Sequence, residues 1–145
     1  MKNILLAVDG SENSLRAAEK TLSLTKLHSD LKFTVIFVAP TCFDLFPEPG
    51  ICAWINRNEL EKDIQSRAAI VSEKVSEIFK AEGLSPQFIL GRGNTAETIC
   101  KTAEEGNFDM IVIGSRGFGD IKSALLGSVS HKVLHCSHCP VLVVK

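Results

Sequence analysis

The chain has 145 residues, a net charge of −1 and 45% apolar residues, enough for one domain with a sizeable core. The even charge balance, with no long run of either sign, excludes a nucleic-acid surface and a polybasic membrane contact. The apolar run Ile4–Val8 near the N-terminus is too short for a signal peptide, and no run approaches the about 20 residues that cross a bilayer, so a cytoplasmic protein is expected.

Ile4–Val8 ends at Asp9-Gly10 and reads as a buried parallel strand. Ser11 suits the N-cap of a helix whose apolar face carries Leu15, Ala18 and Leu22. Phe33–Val38 reads as a second buried strand. One helix between two such strands makes a βαβ unit. The stretch from Ala39 to Arg57 is irregular, with Pro40, Pro47, Pro49 and Gly50 among Phe43, Phe46 and Trp54. A loop of that length either covers the edge of the core or acts on a ligand, and coverage is the simpler expectation.

A long helix is expected over Glu59–Glu82, with Leu60, Ile64, Ala68, Val71, Val75 and Ile78 on one face and Gly83 ending it. Gln87–Leu90 follows as a third strand. Asn94 with Glu97 marks a helix start, Ile99 and Ala103 its buried face, and Gly106 its end. Met110–Ile113 is the fourth strand, a helix runs over Ser128–His135, and Val141–Val144 is the fifth strand. The alternation of strands and helices without a linker or repeat predicts one α/β domain over residues 1–145, a doubly wound open sheet of five parallel strands with helices on both faces, Rossmann-like.

Five cysteines, Cys42, Cys52, Cys100, Cys136 and Cys139, give an odd count without a secretion signal, which predicts free thiols. The cluster His135-Cys136-Ser137-His138-Cys139 has ligand types for zinc or a redox pair, but no second pair stands at a regular distance. A plain turn between helix and strand is the expectation there.

The most informative stretch follows the fourth strand. Gly114, Gly117 and Gly119 precede Gly127-Ser128-Val129-Ser130 at the start of a helix. Glycines admit close backbone approach, and a helix start offers N–H groups, hydroxyls and the positive end of a dipole to an anion. No Gly-Lys-Ser/Thr follows, so this is not a Walker A loop, and the glycine spacing and late position do not fit the dinucleotide fingerprint. On spacing alone it is either a phosphate loop or a glycine-rich turn.

The spacing Gly114-x2-Gly117-x9-Gly127-Ser128 resembles the nucleotide motif of the ATP-binding branch of the universal stress protein family. Ile4–Ser11, Ala103–Gly117, Ser128–Val133 and Cys139–Val144 resemble, in order, the family's first strand and turn, fourth strand, closing helix and last strand. The resemblance implies strand order 3-2-1-4-5, which places the ends of the first and fourth strands at a switch point, where ligands of open α/β sheets sit. It further implies that Asp9 contacts the adenosine end, that Ala7, Val8 and Ile113 line the same pocket, and that the backbone of Val38 reaches the adenine. Asp9 read by itself is a turn residue or an acceptor for nucleoside hydroxyls or an outer ligand of a metal. Gly114 and Gly117 would bend around the phosphates, Gly127, Ser128, Val129 and Ser130 would supply donors, and Arg116 and Lys122 would offset charge.

The expected function is an ATP-binding stress-response or signalling module, the nucleotide carrying Mg2+ or Mn2+. The resemblance also implies a homodimer in which Val141–Val144 pairs antiparallel with its copy. A slow ATPase or autophosphorylating phosphotransferase is the alternative, with Ser128 or Ser130 as acceptor, and an AMP- or cyclic-AMP-binding relative is another. No base stands near the loop except Asp120 and His131, so no catalytic residue is assigned.

Overall fold

In a computed structural model, which describes residues 2–120, 123 and 125–145, the chain forms β1 (Asn3–Ala7), α1 (Glu12–Leu27), β2 (Lys32–Ala39), α2 (Cys42–Leu45), α3 (Ile51–Trp54), α4 (Arg57–Lys80), β3 (Gln87–Arg92), α5 (Thr95–Glu105), β4 (Met110–Gly114), α6 (Ser128–Cys136) and β5 (Val141–Val144). The five strands form one parallel sheet in the order β3-β2-β1-β4-β5, as expected. Ala7 pairs with Ile36 on one side and Ile113 on the other, so β1 is the hub of the sheet.

Strand alternation sorts the apolar residues onto two faces. Ile4, Leu6 and Val8 of the β1 run, with Val35, Phe37 and Val112, pack under α1 and α4. Leu5, Ala7, Ile36, Val38, Ile111 and Ile113 pack under α5 and α6. A strand buried on both faces must be apolar at every position, which is why β1 and β4 read as continuous runs. Each fully buried Leu or Ile contributes about 1.5–3 kcal/mol on removal from water.

The helices begin where their caps dictate. The Ser11 side chain accepts from Ser14 N–H at α1, and that of Asn94 accepts from Glu97 N–H at α5. The stripe expected on the long helix is the buried one, with Ile64, Ala68, Val71 and Val75 facing the sheet and Phe79 added, stacked on Phe33 at 4.3 Å between ring centroids. Its start is two residues earlier than expected because Asn56 is the cap, accepting from Asn58 and Glu59 N–H. In α1 the deepest side chains are Ser14, Ala17, Ala18 and Thr21, while Leu15 and Leu22 lie at the rim. Small residues there let the helix sit close to the sheet. Asp109 stitches the start of β4 to β1: its carboxylate accepts from the N–H groups of Lys2 (2.7 Å) and Asn3 (2.9 Å), which hold its pKa below the usual carboxylate value.

Two expectations are corrected. The stretch after β2 is not an irregular cover of the core: it holds α2 and α3, and its aromatic residues Phe43 and Trp54 are 72% and 91% exposed. The cysteines are not all free thiols. Cys42 and Cys52 form one disulfide, with Cα atoms 5.9 Å apart, and Cys100 and Cys136 form another at 6.2 Å. Among the described residues Cys139 alone is unpaired. The pairs join residues 10 and 36 apart in sequence. Helix packing brings the second pair together, a relation that spacing does not reveal. Cys136 is thereby removed as a thiolate ligand, and the reading of its cluster as a metal or redox centre with Cys139 loses a member.

Two outcomes follow from this packing. Thiol titration of the protein unfolded without reductant will find one reactive thiol per chain, and three or more would overturn the pairings. A Cβ on Gly114 would lie 2.7 Å from the carbonyl carbon of Asn13 and 2.8 Å from Ser14 N, backbone atoms that cannot yield without moving α1. Gly114→Ala will therefore lower stability by about 1–3 kcal/mol, read as a drop in the denaturant midpoint with unchanged slope.

Candidate functional site

The strand order reverses between β1 and β4. The connection after β1 leads into α1 on one face, and the chain after β4 leads to α6 on the other. The two strand ends therefore diverge and leave a crevice, as a switch point in an open α/β sheet must. A cavity of about 150 Å3 lies there.

One wall is apolar and comes from strand ends. Ala7 ends β1 and Val8 follows it, Val38 belongs to β2, and Ile113 and Gly114 end β4. Val129, from the first turn of α6, also lines it. The other wall is polar. Asp9 Oδ1 accepts from Ser11 N–H at 2.8 Å, closing a local turn, and its Oδ2 accepts from Phe118 N–H at 3.4 Å. Asp9 thus ties the end of β1 to the loop after β4. The Ser11 hydroxyl donates to the Arg116 carbonyl at 3.5 Å and adds a second tie. Gly10 has φ +84°, and a Cβ there would stand 3.0 Å from Val71 of α4, so the Asp-Gly turn needs its glycine.

The glycine loop is shaped by carboxylates of the chain itself. Gly117 N–H donates to Asp120 Oδ2 at 2.5 Å. A Cβ on Gly117 would fall 2.5 Å from Asp9 Oδ2, so a larger residue there would have to move that carboxylate. Arg116 and Gly117 both line the cavity.

The expected site residues at the start of α6 divide. Ser130 lines the cavity, but its hydroxyl donates to the carbonyls of Ser115 (2.7 Å) and Gly127 (3.0 Å) and holds the helix start in place. Gly127 caps α6, and its N–H donates to the Ser115 carbonyl at 2.6 Å, so that group is committed within the fold. Ser128 is exposed, and neither Gly127 nor Ser128 reaches the cavity wall. The N-cap of α6 is a glycine and makes no side-chain cap hydrogen bond, and the first turn of the helix lines the crevice through Val129 and Ser130. Lys122 lies outside the described residues.

Several lining residues escaped the sequence reading. Ile36 stands two residues before Val38 on the same strand face, a relation that alternation could have supplied. Thr95 and Ile99 come from α5, one turn apart, and enter because that helix packs across β2. Ser14 reaches the cavity from α1, its hydroxyl donating to the Ser11 carbonyl at 2.9 Å while accepting from Gly10 N–H at 3.1 Å. Asp120 was visible only as a carboxylate near the loop, with nothing to say that it turns inward.

Chemically the crevice offers an apolar slot next to a rim of backbone N–H groups, carboxylates and one guanidinium. The carboxylates of Asp9 and Asp120 are hard oxygen donors of the kind Mg2+ and Mn2+ accept, but among the described residues no three His, Cys, Asp or Glu side chains gather to hold a metal unaided. His131 packs edge-on against His135 at 4.7 Å between ring centroids.

Among curated relatives, universal stress protein YxiE of Bacillus subtilis is 31% identical over 150 residues, covering 98% of this chain and 97% of its own. Among solved structures, protein MJ0577 of Methanocaldococcus jannaschii is 30% identical with a TM-score of 0.79, covering 99% of this chain and 95% of its own. Two more distant structures share the fold: a universal stress protein in complex with cAMP (21% identity, TM-score 0.65, covering 99% and 96%) and one from Arabidopsis thaliana with AMP bound (19%, 0.69, covering 100% and 92%). The match to the universal stress protein family runs over residues 1–145, and the chain belongs to that family.

Proposed function

We propose that the crevice between β1 and β4 binds an adenine nucleotide, with ATP as the ligand that uses all of it, and that the protein is a homodimeric stress-response or signalling module reporting nucleotide binding. The observation that carries this reading is the pairing, in one cavity, of an apolar slot with the glycine loop after β4 and the first turn of α6. The slot between Val38, Ile113 and Ile99 suits a flat base. Asp9 stands at the rim, where a ribose hydroxyl would find an acceptor. The N-terminal end of α6 and the loop at Gly117 favour negative charge beyond the sugar. The nucleotide complexes of two fold relatives lend support to a nucleotide in this place. Mg2+ or Mn2+ would arrive with the phosphates, completing a donor set that Asp9 begins and the protein alone leaves too small.

Hydrolysis is not part of this reading. A base must reach an attacking water, and both carboxylates at the rim are engaged by backbone N–H groups. The hydroxyl proton of Ser130, one of the two candidate acceptors of phosphate, is directed at backbone carbonyls.

The dimer reading rests on β5. It pairs with β4 on one side and is the edge of the sheet on the other. Val144 and Pro140 direct their carbonyls to β4, so Val141 and Val143 present their N–H and C=O groups outward. An apolar edge with an unpaired row of this kind finds a second strand, and a two-fold axis pairs it with its own copy.

Isothermal titration with ATP, ADP, AMP and cyclic AMP tests the ligand. We expect ATP to bind and Gly127→Val with Ser128→Ala to lose it, because a side chain at position 127 would press on the Arg116 backbone, 3.1 Å from a Cβ there. Absence of ATP binding at millimolar ligand in the unaltered protein would overturn the reading. Val143→Pro, which removes an outward N–H without touching the bonds to β4, will convert the dimer to a monomer in light scattering. A variant that remains dimeric would place the interface elsewhere.

A further inference from the structure

The anion-facing side of the crevice is already filled by the chain. Two successive N–H groups point into it: that of Gly117 donates to Asp120 Oδ2 at 2.5 Å, and that of Phe118 donates to Asp9 Oδ2 at 3.4 Å. Consecutive N–H groups converging on one concavity form an anion-binding nest. Asp120 extends this to the helix as well. A Cβ on Gly127 would lie 2.8 Å from Asp120 Cγ, so the same carboxylate rests against the N-cap of α6, a glycine that has no side chain of its own to cap the helix. A carboxylate is a planar anion with two acceptor oxygens. At this position it takes the Gly117 N–H and lies at the helix end that a phosphate would use.

The two aspartates differ in what else they do. Asp9 also accepts from Ser11 N–H and belongs to the turn that ends β1. Asp120 lines the cavity from the loop after β4, and at about 150 Å3 that cavity is below the roughly 300–1,000 Å3 of ordinary ligand sites.

We propose that Asp120 is an internal competitor for the phosphate end of the ligand: its carboxylate occupies the anion position at Gly117 and Gly127, and a bound phosphate must displace it. This rests on the nucleotide reading of the crevice and adds a control to it. The free protein exists largely in a self-occupied form, and the apparent affinity for a phosphorylated ligand is lowered by the fraction that is open. The penalty grows with negative charge on the ligand, since a dianion or trianion meets a like charge that a neutral nucleoside does not. Asp120 therefore sets the affinity for ATP while leaving the base slot untouched.

Asp120→Asn tests this, because asparagine keeps the size and one acceptor oxygen for Gly117 N–H while removing the charge. Asp120→Ala removes the group altogether and serves if the first variant folds poorly, with thermal unfolding as the check on both. Each protein is titrated with ATP, adenosine and inorganic tripolyphosphate, in EDTA and again with Mg2+. We expect the dissociation constants for ATP and tripolyphosphate in EDTA to fall about tenfold or more, with adenosine unchanged. Equal or weaker ATP binding in the variants, beside a wild type that binds, overturns the competitor role and leaves the nucleotide reading standing. Adenosine tightening as much as ATP also overturns it, since the effect would then be one of shape. If no protein binds ATP or adenosine but the variants gain tripolyphosphate, the competitor stands and the nucleotide reading falls. Failure of every protein to bind any of the three overturns both.

Discussion

The mouth of the crevice depends on one carboxylate. Asp9 closes the turn after β1 through Ser11 N–H and reaches across to Phe118 N–H on the loop that follows β4. Parallel neighbours in a sheet share hydrogen bonds only along their paired length, and here that pairing ends at Ala7 and Ile113. Beyond it the two strand ends lead in different directions toward helices on opposite faces. The Asp9 bridge, with the Ser11 hydroxyl on the Arg116 carbonyl beside it, fixes the loop after β4 relative to β1. With it, the glycine loop, the end of α6 and the end of the central strand become one surface.

Close approach of backbone is the second condition. Gly114 lies against the Asn13–Ser14 backbone of α1 at a distance no side chain would permit, and Gly117 lies against the Asp9 carboxylate, which a side chain would displace. Both glycines belong to the motif singled out in the sequence. Their immediate roles in the structure are to admit a helix and a carboxylate, and the shape of the crevice is a result of both.

The parts of the fold legible in the sequence are those governed by local rules. β1 and β4 are apolar runs closed by Asp9-Gly10 and Gly114, and Ser11 and Asn94 cap the helices expected of them. The strand order came through family resemblance, because connection rules leave several orders open. What was not legible depends on contacts between distant segments. The Cys100–Cys136 bond needs α5 and α6 side by side, and the cavity lining by Thr95 and Ile99 needs α5 across β2. Gly127 illustrates a subtler limit: its place at a helix start was evident, but the Ser115 carbonyl that takes its N–H belongs to a turn that no periodicity describes. Asp120 is a similar case, since a carboxylate in an irregular loop points inward or outward by geometry alone.

The Cys100–Cys136 bond joins the helix that carries Ile99 to the helix that carries Val129 and Ser130. These residues line the crevice from two different helices. A covalent link behind them makes the two helices a single body, so they cannot spread independently as a ligand enters. Ordering entropy that two separate helices would lose on binding is already absent from the free protein, and the opening between the helices keeps one width.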